Sequence, residues 1–265
     1  MRAETNDIRT AWFEIGRGDP VILIHGLGDD HRAWRRVVGK LALEHRVLLY
    51  DFRGHGQSDL GGADGTLAQL ASDLIALMDA LELEGATLAG FSLGGTIAMR
   101  AAIDHPERVA ELALVATSSR VGRSAAEWYR ERARMVAEHD SSLREALDRD
   151  TEDVYRNRPE EIAAGLLIRR QATADPAGHA NASLAMASLR EHPLDPELGQ
   201  IRAPTIVVAG ENDQHCPPKA AEIIAGGISG SRLEVIADTG HPIPVERPAE
   251  VAKFITEVHA AAAPA

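Results

Sequence analysis

Three residues far apart in the chain have types suited to nucleophilic chemistry. Ser92 lies in Gly90-Phe91-Ser92-Leu93-Gly94-Gly95, Asp213 in Gly210-Glu211-Asn212-Asp213, and His241 in Asp238-Thr239-Gly240-His241-Pro242. A serine hydroxyl becomes a useful nucleophile at neutral pH when a base takes its proton. Imidazole can be that base, and a carboxylate beside it fixes its tautomer and stabilises its cation. The Gly-x-Ser-x-Gly pattern falls between a short apolar run, 86–89, and a helix-forming run, 95–102. That context reads as a sharp strand-to-helix turn, a nucleophile elbow, with Gly90 and Gly94 as the small residues beside the serine. The backbone N–H groups of Leu93 and of Leu27, in His25-Gly26-Leu27-Gly28, are expected to hold an oxyanion. Gly26 is expected to let a substrate approach that backbone closely.

Each residue also has a plainer reading. A bare Gly-x-Ser-x-Gly arises by chance, and one of eleven histidines after a strand is unsurprising. Asp213 follows an asparagine and suits a turn, and Glu211 is a rival acid. His25 reads as a structural residue holding its loop by a hydrogen bond. The order of the three residues and their shared placement after strands favour the catalytic reading.

The elements that must position them alternate. Residues 8–15 read as an opening strand or hairpin, and 21–24, 46–50, 86–89, 109–115, 205–209 and 232–236 as short apolar strands. Leu67, Leu70, Leu74, Leu77 and Leu81 recur at helical spacing, which predicts an amphipathic helix over 66–81 with Thr66 as its N-cap. A further helix should run from the elbow to about His105. The last should open near Pro248 with Val251, Phe254, Ile255 and Val258 as its stripe, and the tail 260–265 should fray. Strands alternating with helices predict an α/β fold around a mostly parallel sheet. Residues 120–195 hold no convincing strand, so the expected organisation is a core of 1–119 and 196–265 with a helical lid, 120–195, inserted after the sixth strand. In that lid Trp128 is expected to line the substrate pocket. Arg120, Arg123, Arg130, Arg132 and Arg134 are expected to form mostly a solvated face balanced by Glu127, Glu131 and Glu138, with one or two turned inward to hold a carboxylate.

Bulk properties narrow the partners. The chain has 265 residues, 45% of them apolar, enough for a substantial core. A formal charge of −12 argues against nucleic acid and an anionic membrane surface. One cysteine, Cys216, excludes an intrachain disulfide framework and fits a reducing compartment, and neither an h-region nor a membrane-length apolar run is visible. The expectation is a cytoplasmic protein acting on a small molecule, of undetermined oligomeric state. Asp29, Asp30 and His31 suggest a metal, but successive side chains seldom share a face, so none is expected. The polar stretch 51–59 reads as a structural loop, and His215 and Cys216 as candidate pocket residues, Cys216 more as a small buried filler.

His25 to Gly28, Tyr50 to Asp59, Gly90 to Gly95, His105-Pro106-Glu107-Arg108-Val109, Gly210 to Asp213, and Gly240-His241 followed by Glu246-Arg247-Pro248 together resemble the α/β-hydrolase superfamily over residues 8–258. Residues 117–122 leading to Glu127-Trp128, and 173–179, are most similar to the 3-oxoadipate enol-lactonase and small carboxylesterase branch. The resemblance implies an α/β-hydrolase fold with an eight-stranded-type sheet, and an esterase or lactonase that needs no cofactor and has a lid tryptophan over its site. C–C bond hydrolysis and cofactor-free perhydrolysis use the same triad. A non-catalytic receptor on this fold is a remoter reading.

Overall fold

A computed structural model describes residues 1–262. Eight strands form one sheet: β1 (Arg2–Thr5), β2 (Ile8–Gly16), β3 (Pro20–Ile24), β4 (Arg46–Tyr50), β5 (Ala86–Phe91), β6 (Val109–Val115), β7 (Thr205–Gly210) and β8 (Arg232–Ile236), in the order β1-β2-β4-β3-β5-β6-β7-β8. The β1–β2 and β2–β4 pairs are antiparallel, and every other pair is parallel. The alternating pattern predicts the mostly parallel sheet, and its eight strands are the number that the family resemblance implies.

The parallel strands β3 to β7 are mostly apolar because both of their faces are covered, whereas the edge strand β8 is only partly buried. Successive residues feed opposite cores, as strand geometry requires. Ile22 and Ile24 join one cluster with α2 (Leu67–Ala80), α3 (Leu93–Asp104) and α8 (Pro218–Gly227). Val21 and Leu23 join the other, with α1 (Val38–Leu41) and α10 (Pro248–Ala262). Thr66 caps α2 as expected, its hydroxyl accepting from the Gln69 N–H at 3.1 Å. Val251, Ile255 and Val258 are buried beneath α10, with Phe254 half-buried beside them. The tail expected to fray is helical through Ala262, and 263–265 lie outside the described residues.

Between β6 and β7 the chain forms four helices, α4 (Arg123–Ala137), α5 (Leu143–Val154), α6 (Ile162–Ala172) and α7 (Pro176–Ser188). Helix α7 packs against α4, and its Ala182, Ala185 and Met186 belong to the same core as α2 and α3. Through α7 this helical segment is anchored in that core. A short helix, α9 (Ile243–Glu246), follows His241.

The first strand departs from expectation. Residues 2–5 pair with β2 through a tight turn in which Asn6 takes φ 50°. Asparagine tolerates that left-handed conformation, but Arg-Ala-Glu-Thr lacks an apolar run to advertise a strand. No helix among the described residues is long and apolar enough to cross a membrane.

Candidate active site

Ser92 sits at the junction of β5 and α3 with φ 53° and ψ −122°, a strained conformation for a residue with a side chain. Neighbouring backbone locks it there. The Ser92 N–H donates to the Val115 carbonyl at 2.9 Å, and its own carbonyl accepts from Thr117 Oγ1 at 2.7 Å. A Cβ on Gly90 would run into the Gly94 carbonyl, and one on Gly94 into the Ile24 carbonyl. A Cβ on Gly95, which sequence reasoning did not single out, would lie 2.7 Å from the Thr117 side chain.

His241 stands beyond the end of β8 and reaches both other residues. Its Nε2 is 3.2 Å from Ser92 Oγ, and its Nδ1 is 2.8 Å from Asp213 Oδ2. Asp213 is buried just after β7, and its Oδ1 accepts from the N–H groups of His215 at 2.8 Å and Cys216 at 2.9 Å. Burial pushes the Asp213 carboxyl up. The charge and hydrogen bond of His241, with the two backbone N–H groups, outweigh it and hold the group below the usual carboxylate range. An ionised carboxylate at Nδ1 needs a proton there, which leaves Nε2 with a lone pair facing the serine hydroxyl. Such an arrangement can take the hydroxyl proton.

The rival acid Glu211 is exposed and accepts from the Asp238 N–H at 3.1 Å, so it braces a loop. Gly240, just before His241, lies outside the left-handed region, so no unusual backbone conformation requires a glycine there. Close packing demands it instead. A Cβ would lie 2.7 Å from Asn157 Nδ2 and 3.0 Å from Glu246 Oε1.

Leu93 is the first residue of α3, where an N–H has no intrahelical acceptor. The Leu27 N–H is likewise free of hydrogen bonds among the described residues. Leu27, Ser92, Trp128 and His241 line one cavity of about 400 Å³. Gly26 is not among the lining residues of that cavity, but it packs against the elbow: a Cβ there would be 3.3 Å from Ser92 Cβ and 3.2 Å from the Phe91 ring. Its loop is held by His25, whose Nε2 accepts from the Phe52 N–H at 3.2 Å while Nδ1–H donates to the Gly26 carbonyl at 2.9 Å. Burial keeps this imidazole neutral by lowering its pKa.

Trp128 is 36% exposed, with the Arg132 guanidinium 5.0 Å from its ring. Arg132 is the α4 arginine that turns inward, but the carboxylate it holds is Asp150, at 2.7 and 2.8 Å. Arg134 pairs with Glu131 and Glu138, and Arg130 with Glu191. His215 and Cys216 both line the cavity, and burial raises the Cys216 thiol far above its ordinary value. Arg169, Arg144, Thr173 and His179 also line it. Sequence reasoning missed the two arginines entirely, because a helix rich in charge does not show which face it buries.

The acidic trio is rearranged. Asp30, His31 and Asp51 converge, while Asp29 pairs with Arg169 at 3.1 Å. Asp30 caps a helical turn and grips Arg32, and Asp51 accepts from His31 and Gln57, so these groups are engaged with one another. The loop after Asp51 is pinned by Arg53. All five of its donors are used, on Asp73 (twice), Asp7 and the carbonyls of Leu60 and Gly62.

Comparison with known proteins agrees with this architecture. The "Putative carbamate hydrolase RutD" of Variovorax paradoxus is 30% identical over 263 residues, 94% of this chain and 96% of its own. The 3-oxoadipate enol-lactonase 1 of Acinetobacter baylyi is 30% identical over 235 residues, 86% of this chain and 84% of its own. The crystal structure of the enol-lactonase from Burkholderia xenovorans LB400 superposes with a TM-score of 0.88 at 27% identity, covering 98% of this chain and all of that one. The profile of the family described as "alpha/beta hydrolase fold" matches residues 19–248, from the start of β3 to the start of α10, and the chain belongs to that family.

Proposed function

We propose that the protein is a serine hydrolase of small or medium carboxylic esters or lactones. The observation that carries this reading is His241, within 3.2 Å of Ser92 Oγ and 2.8 Å of Asp213 Oδ2. His241 takes the Ser92 proton as the oxygen attacks the substrate carbonyl. The N–H groups of Leu27 and Leu93 receive the developing oxyanion. His241 then returns the proton to the leaving alkoxide, and an acyl-enzyme remains on Ser92. Water, deprotonated by His241, attacks that ester, and the second tetrahedral intermediate collapses to free the acid and Ser92.

Residues 120–195 serve as the lid, with Trp128 over the acyl group and Gly26 beneath it. A cavity of about 400 Å³ suits a small or medium substrate. With Cys216 as a lone thiol, this reading assigns the enzyme to the cytoplasm. The name of the Variovorax relative favours a second reading in which the carbonyl belongs to a carbamate ester: Ser92 expels the alcohol to leave a carbamoyl-enzyme, and water then frees carbamic acid and Ser92.

Hydrolysis of p-nitrophenyl esters from acetate to octanoate, with Ser92→Ala as control, tests the proposal. We expect turnover that peaks at short chains and falls by at least about 10³-fold in the variant. A folded protein inert towards every ester, or a variant as active as the parent, would overturn the esterase reading.

A further inference from the structure

The cavity beside Ser92 contains charged groups, most of them already matched. Asp148 accepts from Arg170 at 3.0 and 2.7 Å, Asp150 from Arg132, and Asp153 lies 3.2 Å from Arg156 and 3.3 Å from His215. Arg169, on α6, is different. Its Nε donates to Asp29 Oδ1 at 3.1 Å, and its two terminal nitrogens make no hydrogen bond among the described residues. Its side chain is only 17% exposed, so bulk water does little to satisfy them. Arg144, on α5, donates to Thr173 Oγ1 and O at 3.3 and 3.2 Å, with no ion-pair partner among the described residues. His179, on α7, is 4% exposed, and neither ring nitrogen has a partner. Burial, and then the nearby Arg169, push its pKa down to about 3, so at neutral pH it is an uncharged ring with one N–H to give.

We infer that Arg169, Arg144 and His179 form a subsite for a carboxylate on the substrate's acyl chain, so that monoesters of short diacids are the preferred substrates. The inference rests on the serine-hydrolase reading for its chemistry. A guanidinium with both terminal nitrogens free matches the two oxygens of a carboxylate. Its Nε is tied to Asp29, two residues after Leu27, which fixes the fork relative to the N–H groups that would hold the oxyanion. A diacid chain clamped at its far end would therefore deliver its ester carbonyl to Ser92 in a restricted geometry. The acyl part is the place for such recognition, because it stays bound through both acylation and deacylation. A neutral acyl chain would leave these donors unpaired, which is how a polar site rejects an apolar analogue.

The test compares monoethyl esters of the C4 to C6 diacids with the neutral diethyl esters, by pH-stat, in the parent, Arg169→Lys and Arg144→Met. Arg169→Lys keeps a cation on Asp29, and Arg144 is exposed, so at least one variant should keep its circular dichroism spectrum. The expected parent preference for the monoanion is about tenfold or more in kcat/KM, lost in large part in Arg169→Lys and partly in Arg144→Met. Equal use of monoester and diester by the parent, or a ratio unmoved in a folded variant, overturns the subsite and leaves the hydrolase reading standing. If the folded parent cleaves neither ester, the hydrolase reading is in question, and calorimetric titration with succinate decides the subsite. Binding weakened about tenfold in Arg169→Lys supports it, and no binding to the parent overturns it.

Discussion

In the proposed mechanism one buried carboxylate, Asp213, orients the base that acts on Ser92. Its two oxygens have separate duties: Oδ1 accepts two backbone N–H groups and Oδ2 faces His241. In Asp213→Asn the carbonyl oxygen of the amide would stay with the two N–H donors, because the NH₂ group cannot accept them. The NH₂ would then face Nδ1 of His241 and donate to it, forcing the imidazole proton onto Nε2. That is the wrong tautomer for taking a proton from Ser92. We expect kcat to fall on the order of 10³ to 10⁴-fold with little change in KM or in the circular dichroism spectrum. An Asn variant within tenfold of the parent would contradict the assigned role. The proximity of Ser92, Asp213 and His241 was legible because each falls a few positions past an apolar strand, the place where open α/β sheets gather ligands. Arg169 and His179 were not legible as a pair. They come from different helices, and only tertiary packing brings them to one wall.

At the scale of elements, the strand-to-helix turn at Ser92 stores strain that close backbone contacts keep in place. Gly94→Ala would drive a Cβ into the Ile24 carbonyl, which belongs to β3 and cannot rotate away. The expected cost is about 3 kcal/mol or more, read from the midpoint of urea unfolding. A midpoint within experimental error of the parent would mean the turn has more room than the structure shows. The loop after β4 depends on a different device. Arg53→Met would leave the buried Asp73 carboxylate without its bidentate partner, a change expected to cost about 3 to 5 kcal/mol in the same measurement. Seven of the strands announced themselves through apolar runs, and α2 through its leucine spacing and Thr66 cap. β1 did not, because its pairing is with β2 and its only fully buried side chain is Thr5.

At the scale of the whole molecule, burial of neutral imidazoles ties stability to acidity. His25, His55, His179 and His215 all have pKa values lowered chiefly by burial, His179 to about 3 and His215 to about 4. Each would bind a proton near pH 6.5 in the unfolded chain. Between pH 6.5 and the folded value, the unfolded chain holds more protons, so stability falls as the pH drops through that window. For His179, which is almost fully buried, the loss from pH 6.5 to 5 is about 2 kcal/mol. The paired carboxylates cannot offset this. Asp213 and Asp51, both lowered, contribute stability above the ordinary carboxylate pKa and lose it only on further acidification. Urea unfolding at pH 7 and pH 5 should therefore show a large drop for the parent. His179→Gln, which cannot gain the proton, should show a drop smaller by about 2 kcal/mol. Identical pH dependence in parent and variant would mean that His179 finds a way to be charged while folded, and the neutral imidazole wall of the cavity would have to be abandoned.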